Sequence, residues 1–173
     1  MSLMTTLKFY CMRITKPKPI SQGEEIASLS RDHHDGLLLS WKINSGLRKG
    51  VSPYRIRLYV LYFFDNFLEP HFAEEEQLLY PLLDRNNPER REAELQHAGL
   101  RVRMEYFEAG YALTPDLLKD FADKLSEHIR FEENTLFNAI QQKADHRALR
   151  SVINRHKSIL TIDNDWYDQF WLH

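Results

Sequence analysis

The chain has 173 residues, with 23 Lys+Arg against 25 Asp+Glu and a formal charge of -2. That length suits one domain, and the balanced charge excludes the strong positive field of a nucleic-acid binder. A single cysteine, Cys11, excludes an intramolecular disulfide framework and a thiolate-only zinc site, whereas eight histidines leave imidazole chemistry open.

Residues 1–20 carry Lys16-Pro17-Lys18-Pro19, which favours an extended N-terminal segment. Ser21 with Glu24 three residues on is a capping-box pattern, so helix A is expected from about 22 to 48. Ser52-Pro53 starts helix B, to about Arg85, with a kink or a tolerated irregularity at Pro70. Asn87-Pro88 starts helix C, to about Gly110, and Thr114-Pro115 starts helix D, to about Lys143. Asp145 caps a shorter helix E, and the aromatics Trp166, Tyr167, Phe170 and Trp171 of the last stretch are expected to dock. Nothing alternates with period two, so the fold class is all-α, read as an up-down four-helix bundle with an additional C-terminal helix. The expected organisation is an extension (1–20), a bundle with helix E (21–157) and an aromatic tail (158–173).

Helix B places Leu61, Phe64, Leu68, His71, Glu75, Leu78 and Leu82 at steps of three and four, the spacing of a buried seam. Helix D repeats it 57 residues later with Leu118, Phe121, Leu125, His128, Glu132, Thr135 and Ala139. Five of the seven positions are identical, and two of those are polar. The chain thus reads as two copies of one helical hairpin.

An ionisable group on a buried seam is costly unless it is paired or binds a metal. His and Glu at i, i+4 lie about 40° apart around a helix and one turn apart along it, so both can converge on one point. The partner helices each add an imidazole. His33 shares a stripe with Ile26, Leu29, Leu37 and Leu47, and His97 one with Ala93, Leu100, Met104, Phe107 and Tyr111. The candidate metal ligands are therefore His33, His71, Glu75, His97, His128 and Glu132. The plainer alternative is a pair of buried His–Glu hydrogen bonds that specify register.

Imidazole with carboxylate and no thiolate suits iron, with manganese, zinc or copper as other occupants. Two carboxylates able to bridge favour a pair of ions, each held by two histidines and one oxygen from each glutamate. Glu76 and Glu133 lie about 100° from the bridging positions. They either face solvent or bond to a ligand imidazole. Tyr80 and Tyr62 read as core or rim aromatics rather than redox residues.

His33 after Leu29-x-x-Asp32, His71-Phe72-x-x-Glu75-Glu76-x-x-Leu79-Tyr80-Pro81, His97, and His128-x-x-x-Glu132-Glu133-x-x-Leu136-Phe137 together resemble the hemerythrin-type HHE cation-binding family over about residues 22–143. The resemblance implies a non-haem pair of irons bridged by Glu75 and Glu132. Oxygen carriers of that family add a histidine where this chain has Arg101, and place the last carboxylate one residue later than Glu132. Both departures turn the expectation from oxygen carriage toward iron handling or the sensing of oxygen, nitric oxide or redox state. A di-iron enzyme acting on peroxide or nitric oxide, or in iron–sulfur cluster repair, uses the same ligands; a metal-free interaction module would use helix E and the aromatic tail instead. No catalytic residue is indicated, and the reading leans away from an enzyme.

The ferritin-type alternative needs two Glu-x-x-His motifs, and only Glu94-x-x-His97 fits. One cysteine, with neither a secretory signal nor a membrane span in evidence, points to the cytoplasm. The expected partner is a small diatomic ligand or peroxide, with no nucleic acid and no membrane, and the tail aromatics allow a homodimer. Protons compete with metal for imidazole, so retention is expected to weaken below about pH 6.

Overall fold

Proline and the small polar residue before it open three helices of this chain, whose computed structural model describes residues 27–155 and 162–172. The N-terminal extension, Cys11, the Ser21–Glu24 box, His156 and His173 lie outside the described residues, as do the side chains of Ile26 and Leu29.

The described helices are α1 (Ala27–Arg48), α2 (Pro53–Phe63), α3 (Glu69–Glu74), α4 (Pro88–Glu108), α5 (Pro115–Phe131), α6 (Phe137–Lys143) and α7 (His146–Arg155), and no strand occurs among the described residues. Asn87 accepts a hydrogen bond from Arg90 N at 2.9 Å, and Thr114 one from Leu117 N at 3.3 Å, so both side chains cap as their sequence context predicts. Asp145 caps α7 through Arg147 N and Ala148 N. Ser52 does not: its side chain makes no capping bond, and Pro53 at the first position carries that start. Gly50 (φ 72°) and Gly110 (φ 71°) turn the chain after α1 and α4, in the left-handed region that glycine enters without strain. The turn at Gly110 takes Tyr111 off the α4 stripe, leaving it 62% exposed where the seam pattern had placed it inward.

The long expected helix B is helical to Leu82 but not regular. A π-helical turn, Phe64–Leu68, joins α2 to α3; a second, Glu75–Leu79, follows α3 and runs into a 3₁₀ turn, Tyr80–Leu82. A third, Glu132–Leu136, joins α5 to α6. Pro70 lacks the N–H that a regular helix would bond to Asn66, and the chain closes a wider turn just ahead of it, Glu69 N–H to Phe64 O. The other two π turns occupy equivalent places in the repeat, each opening at the glutamate of a His-x-x-x-Glu motif. Each takes in one extra residue, so the buried seam slips by one position beyond it. Leu79 and Leu136 are buried there, while Leu78 is only half-buried and Thr135 is exposed, contrary to the regular seam expected at both.

On α1 the core face is also rotated from expectation. Leu37 and Leu47 are half-buried, and beside His33, inward as expected, the buried face carries Asp32, Gly36, Leu39, Ile43 and Gly46. The two glycines explain the difference, because they mark close approach rather than hydrophobicity. A Cβ on Gly36 would meet Ile129 of α5 at 2.7 Å, and one on Gly46 would meet the Phe170 ring at 2.8 Å.

α1 packs along α5, and α4 packs on α5 as well. One apolar cluster includes Leu39, Ile43, Phe63, Leu68, Phe72, Leu100, Leu125 and Ile129. Another includes Leu79, Tyr80, Ala93, Leu136, Phe137 and Ile140, closed by Leu149 and Val152 of α7. Glu75, His97 and Glu132 fall between residues of the two clusters along their segments of the chain, and His71 and His128 stand directly before Phe72 and Ile129 of the first cluster. The tail docks through Phe170 and Trp171, both buried, and the half-buried Trp166, whereas Tyr167 is 97% exposed and does not.

Candidate metal centre

Six buried polar side chains gather in one layer: His33 from α1, His71 from α3, His97 from α4, His128 from α5, and Glu75 and Glu132 at the first positions of the two equivalent π turns. None is more than 4% exposed. They form two groups of four, His33–His71–Glu75–Glu132 and Glu75–His97–His128–Glu132, each with its donor atoms within 4.8 Å of one another. The two glutamates belong to both groups.

All four imidazoles turn Nε2 inward. His71 Nε2 lies 3.2 Å from Glu75 Oε1, and His33 Nε2 lies 3.4 Å from the same oxygen and 3.0 Å from Glu132 Oε2. Across the site, His97 Nε2 is 3.4 Å from Glu75 Oε2 and His128 Nε2 is 3.3 Å from Glu132 Oε2, with the two nitrogens 3.1 Å apart.

The outward nitrogens have oxygen partners. His33 Nδ1 donates to Glu133 at 2.7 Å, His97 Nδ1 to Glu76 at 2.8 Å, and His128 Nδ1 to Gln96 at 3.1 Å. His71 Nδ1 faces Asp32 at 3.6 Å, too long for a direct bond. A proton held on Nδ1 leaves the Nε2 lone pair free to face a cation. Glu76 and Glu133 therefore take the role of imidazole partners rather than a solvated face. Arg101, which stands where a fifth imidazole was sought, binds Glu76 at 2.7 Å and Glu69 at 2.8 Å and lies over the Phe72 ring. Glu94 pairs with Arg90 at 2.8 Å, so the ferritin-type motif finds no use.

Electrostatics separates residues that the repeat makes equivalent. Burial lowers every imidazole here, but Glu75 and Asp32 outweigh it at His71, which rises to about 9. His33, among Glu132, Glu133 and Glu75, is held well above the ordinary value. His128 instead falls to about 4, because burial dominates and its outer partner, Gln96, is neutral. Burial raises both glutamates, yet the surrounding imidazoles hold Glu75 well below the usual carboxylate range and Glu132 below it too. Glu76 falls to about 2, since His97 and Arg101 overcome its partial burial.

The donor set fits a metal. Glu75 Oε2 and Glu132 Oε2 are fully buried and accept no hydrogen bond, despite nitrogens close by. An ionised carboxylate placed so costs several kcal/mol unless a cation satisfies it. Once their Nε2 protons are displaced, four imidazoles with two carboxylates around two points supply what such a cation needs.

Tyr80 is more than the core or rim aromatic that its sequence context suggests. It is fully buried, and its hydroxyl donates to Glu132 Oε1 at 2.5 Å and stands 3.0 Å from His97 Nε2. Gln96, which the sequence did not single out, was legible only as the residue before His97. A groove of about 390 Å³ between α4 and α5, lined in part by Gln96, Gly99, Leu100 and Arg103, reaches His128 from the surface.

Curated proteins and solved structures give no match to the chain. The model of the hemerythrin HHE cation binding domain matches residues 25–140, a stretch that contains all six inward-facing residues and both π turns of the repeat. Because that stretch is more than half of the chain and includes the whole buried polar layer, the protein belongs to the hemerythrin HHE cation binding domain family.

Proposed function

We propose that the chain is a non-haem di-iron-binding protein that handles iron or senses oxygen, nitric oxide or redox state, rather than an enzyme. The observation that carries this is the sharing of Glu75 and Glu132 by two four-donor groups, as a carboxylate-bridged pair of ions requires. In this reading α1, α2 with α3, α4, and α5 with α6 form an up-down four-helix bundle. His33 and His71 hold one iron, His97 and His128 the other, with zinc or manganese as competing occupants. A pair of irons held so supplies redox chemistry and an affinity for dioxygen, nitric oxide or peroxide.

The chain's own residues orient and shield. Glu76, Glu133 and Gln96 hold imidazole orientation through Nδ1, while Phe72 and Phe137 stack on His97 and His33 and keep water out. Arg101 is committed to Glu69 and Glu76, so no fifth imidazole or free cation serves oxygen carriage at that position. A cytoplasmic setting agrees with a lone cysteine that needs no oxidised partner.

Metal content measured together with the near-ultraviolet and visible spectrum tests the reading. Two irons per chain with oxo-bridged ferric bands is the expected result; no iron after anaerobic Fe(II) loading overturns it. Titration with hydrogen peroxide then separates roles, because stoichiometric oxidation fits a sensor and sustained turnover would make the protein an enzyme.

A further inference from the structure

Tyr80 and Phe137 occupy the same place in the two repeats, each five residues after a shared glutamate. Both rings are buried, and each stacks on an imidazole of the centre at a centroid distance of 5.3 Å, Tyr80 on His97 and Phe137 on His33. Packing at this position therefore needs only a ring, as Phe137 shows. The hydroxyl of Tyr80 is an addition that packing does not explain, and a buried hydroxyl is costly unless it is used.

Its surroundings show the use. The oxygen lies 2.5 Å from Glu132 Oε1 and 3.0 Å from His97 Nε2, both from residues of the same four-donor group. Neighbouring donors of a six-coordinate ion with bonds of ~2.1 Å are about 3 Å apart. The phenol oxygen thus stands off the imidazole nitrogen as an adjacent ligand would. The first group has no counterpart, because residue 137 is phenylalanine.

We propose that Tyr80 is a further protein ligand of the His97–His128 ion, bound through its phenol oxygen, which makes the two ions of the pair chemically unequal. The proposal rests on the di-iron reading above. When the ion enters, the Oη–H bond breaks, the proton leaves to solvent and an Oη–metal bond replaces it, with no electron transferred. The hydrogen bond to Glu132 is then the resting arrangement of the same oxygen in the metal-free chain.

The test is spectroscopic and uses the full chain loaded with Fe(II) and oxidised in air. A phenolate-to-ferric charge-transfer band in the visible is expected, with tyrosine ring modes enhanced in resonance Raman. Tyr80→Phe should keep two irons per chain and lose both signals. Two irons without the band, or a band that persists in Tyr80→Phe, overturns the proposal and leaves Tyr80 as a hydrogen-bond donor to Glu132. Failure to bind iron at all overturns the di-iron reading and this ligand with it, and metal analysis tells that case from the others. Should the phenylalanine chain not fold, ring-deuterated tyrosine in the unsubstituted protein decides: the enhanced modes must shift. Enhanced modes that stay in place overturn the proposal.

Discussion

At the residue scale the outer partners of the imidazoles govern the centre. Glu76 bonds His97 on one side and Arg101 on the other, so Glu76→Gln keeps the shape and removes the charge that holds His97. Losing an outer partner of this kind typically costs 10–100-fold in metal affinity, and competition with a chelator is expected to show a loss of that order. The pH response also follows from neighbours. An ordinary imidazole value of ~6.5 placed proton competition below about pH 6, but Glu75 and Asp32 hold His71 at about 9 in the metal-free chain. Metal uptake at neutral pH must displace that proton, so apparent affinity should keep rising with pH until about 9, as metal titrations across the range would show. The stability sign is the reverse. A raised imidazole stabilises the metal-free fold fully below ~6.5 and ceases to do so as pH passes about 9. Thermal melts of the metal-free chain should therefore lose His71's contribution over that alkaline window.

At the element scale the π turns decide which residues are core. Beyond Glu132 a regular helix would turn Thr135 inward, whereas the extra residue buries Leu136 instead. Leu136→Ala should cost about 2–5 kcal/mol as a core truncation, while Thr135→Ala should stay within ~0.5 kcal/mol as a surface change; denaturant unfolding measures both. The close approaches of α1 give a second contrast. A methyl on Gly46 meets the rigid Phe170 ring, whereas one on Gly36 meets the end of the flexible Ile129 side chain. Gly46→Ala should cost about 1–3 kcal/mol by overpacking and loosen the tail, read as greater exposure of Trp166 and Trp171 in fluorescence. Gly36→Ala should cost less, since Ile129 can change rotamer.

At the scale of the whole molecule the centre and the tail are separate. Lys42, buried on α1, binds Tyr59 at 2.7 Å and Asp163 of the tail at 2.6 Å, and its ammonium lies 4.5 Å from the Trp171 ring centroid. Arg55 pairs with Asp168, and Lys49 donates to the carbonyl of Trp171. None of these residues is among the six of the candidate centre. Burying Phe170 and Trp171 is worth roughly 1.5–3 kcal/mol each, and a domain of this size shifts its midpoint by about 2–4 °C per kcal/mol. Ending the chain at Thr161 should thus lower the melting midpoint by on the order of 10 °C with iron uptake unchanged, as a melt and a metal assay would establish.

The all-helical class, three of the capped helix starts and all six inward-facing residues were legible in the sequence, because each follows from a local rule. Capping depends on a few adjacent residues, and the His-x-x-x-Glu repeat places its polar pairs on one face by helical spacing alone. The two π turns of the repeat were not legible, since a single widened turn leaves no periodic signature, whereas Pro70 marked the place of the first. The core face of α1 was misread because Gly36 and Gly46 carry no hydrophobic signal. Tertiary structure alone decided that Glu76, Glu133 and Gln96 would meet imidazoles from other helices, and that the Tyr80 hydroxyl would reach Glu132 across 52 residues. Those contacts join side chains distant in the chain, and their register is set by packing between helices rather than by any pattern within one.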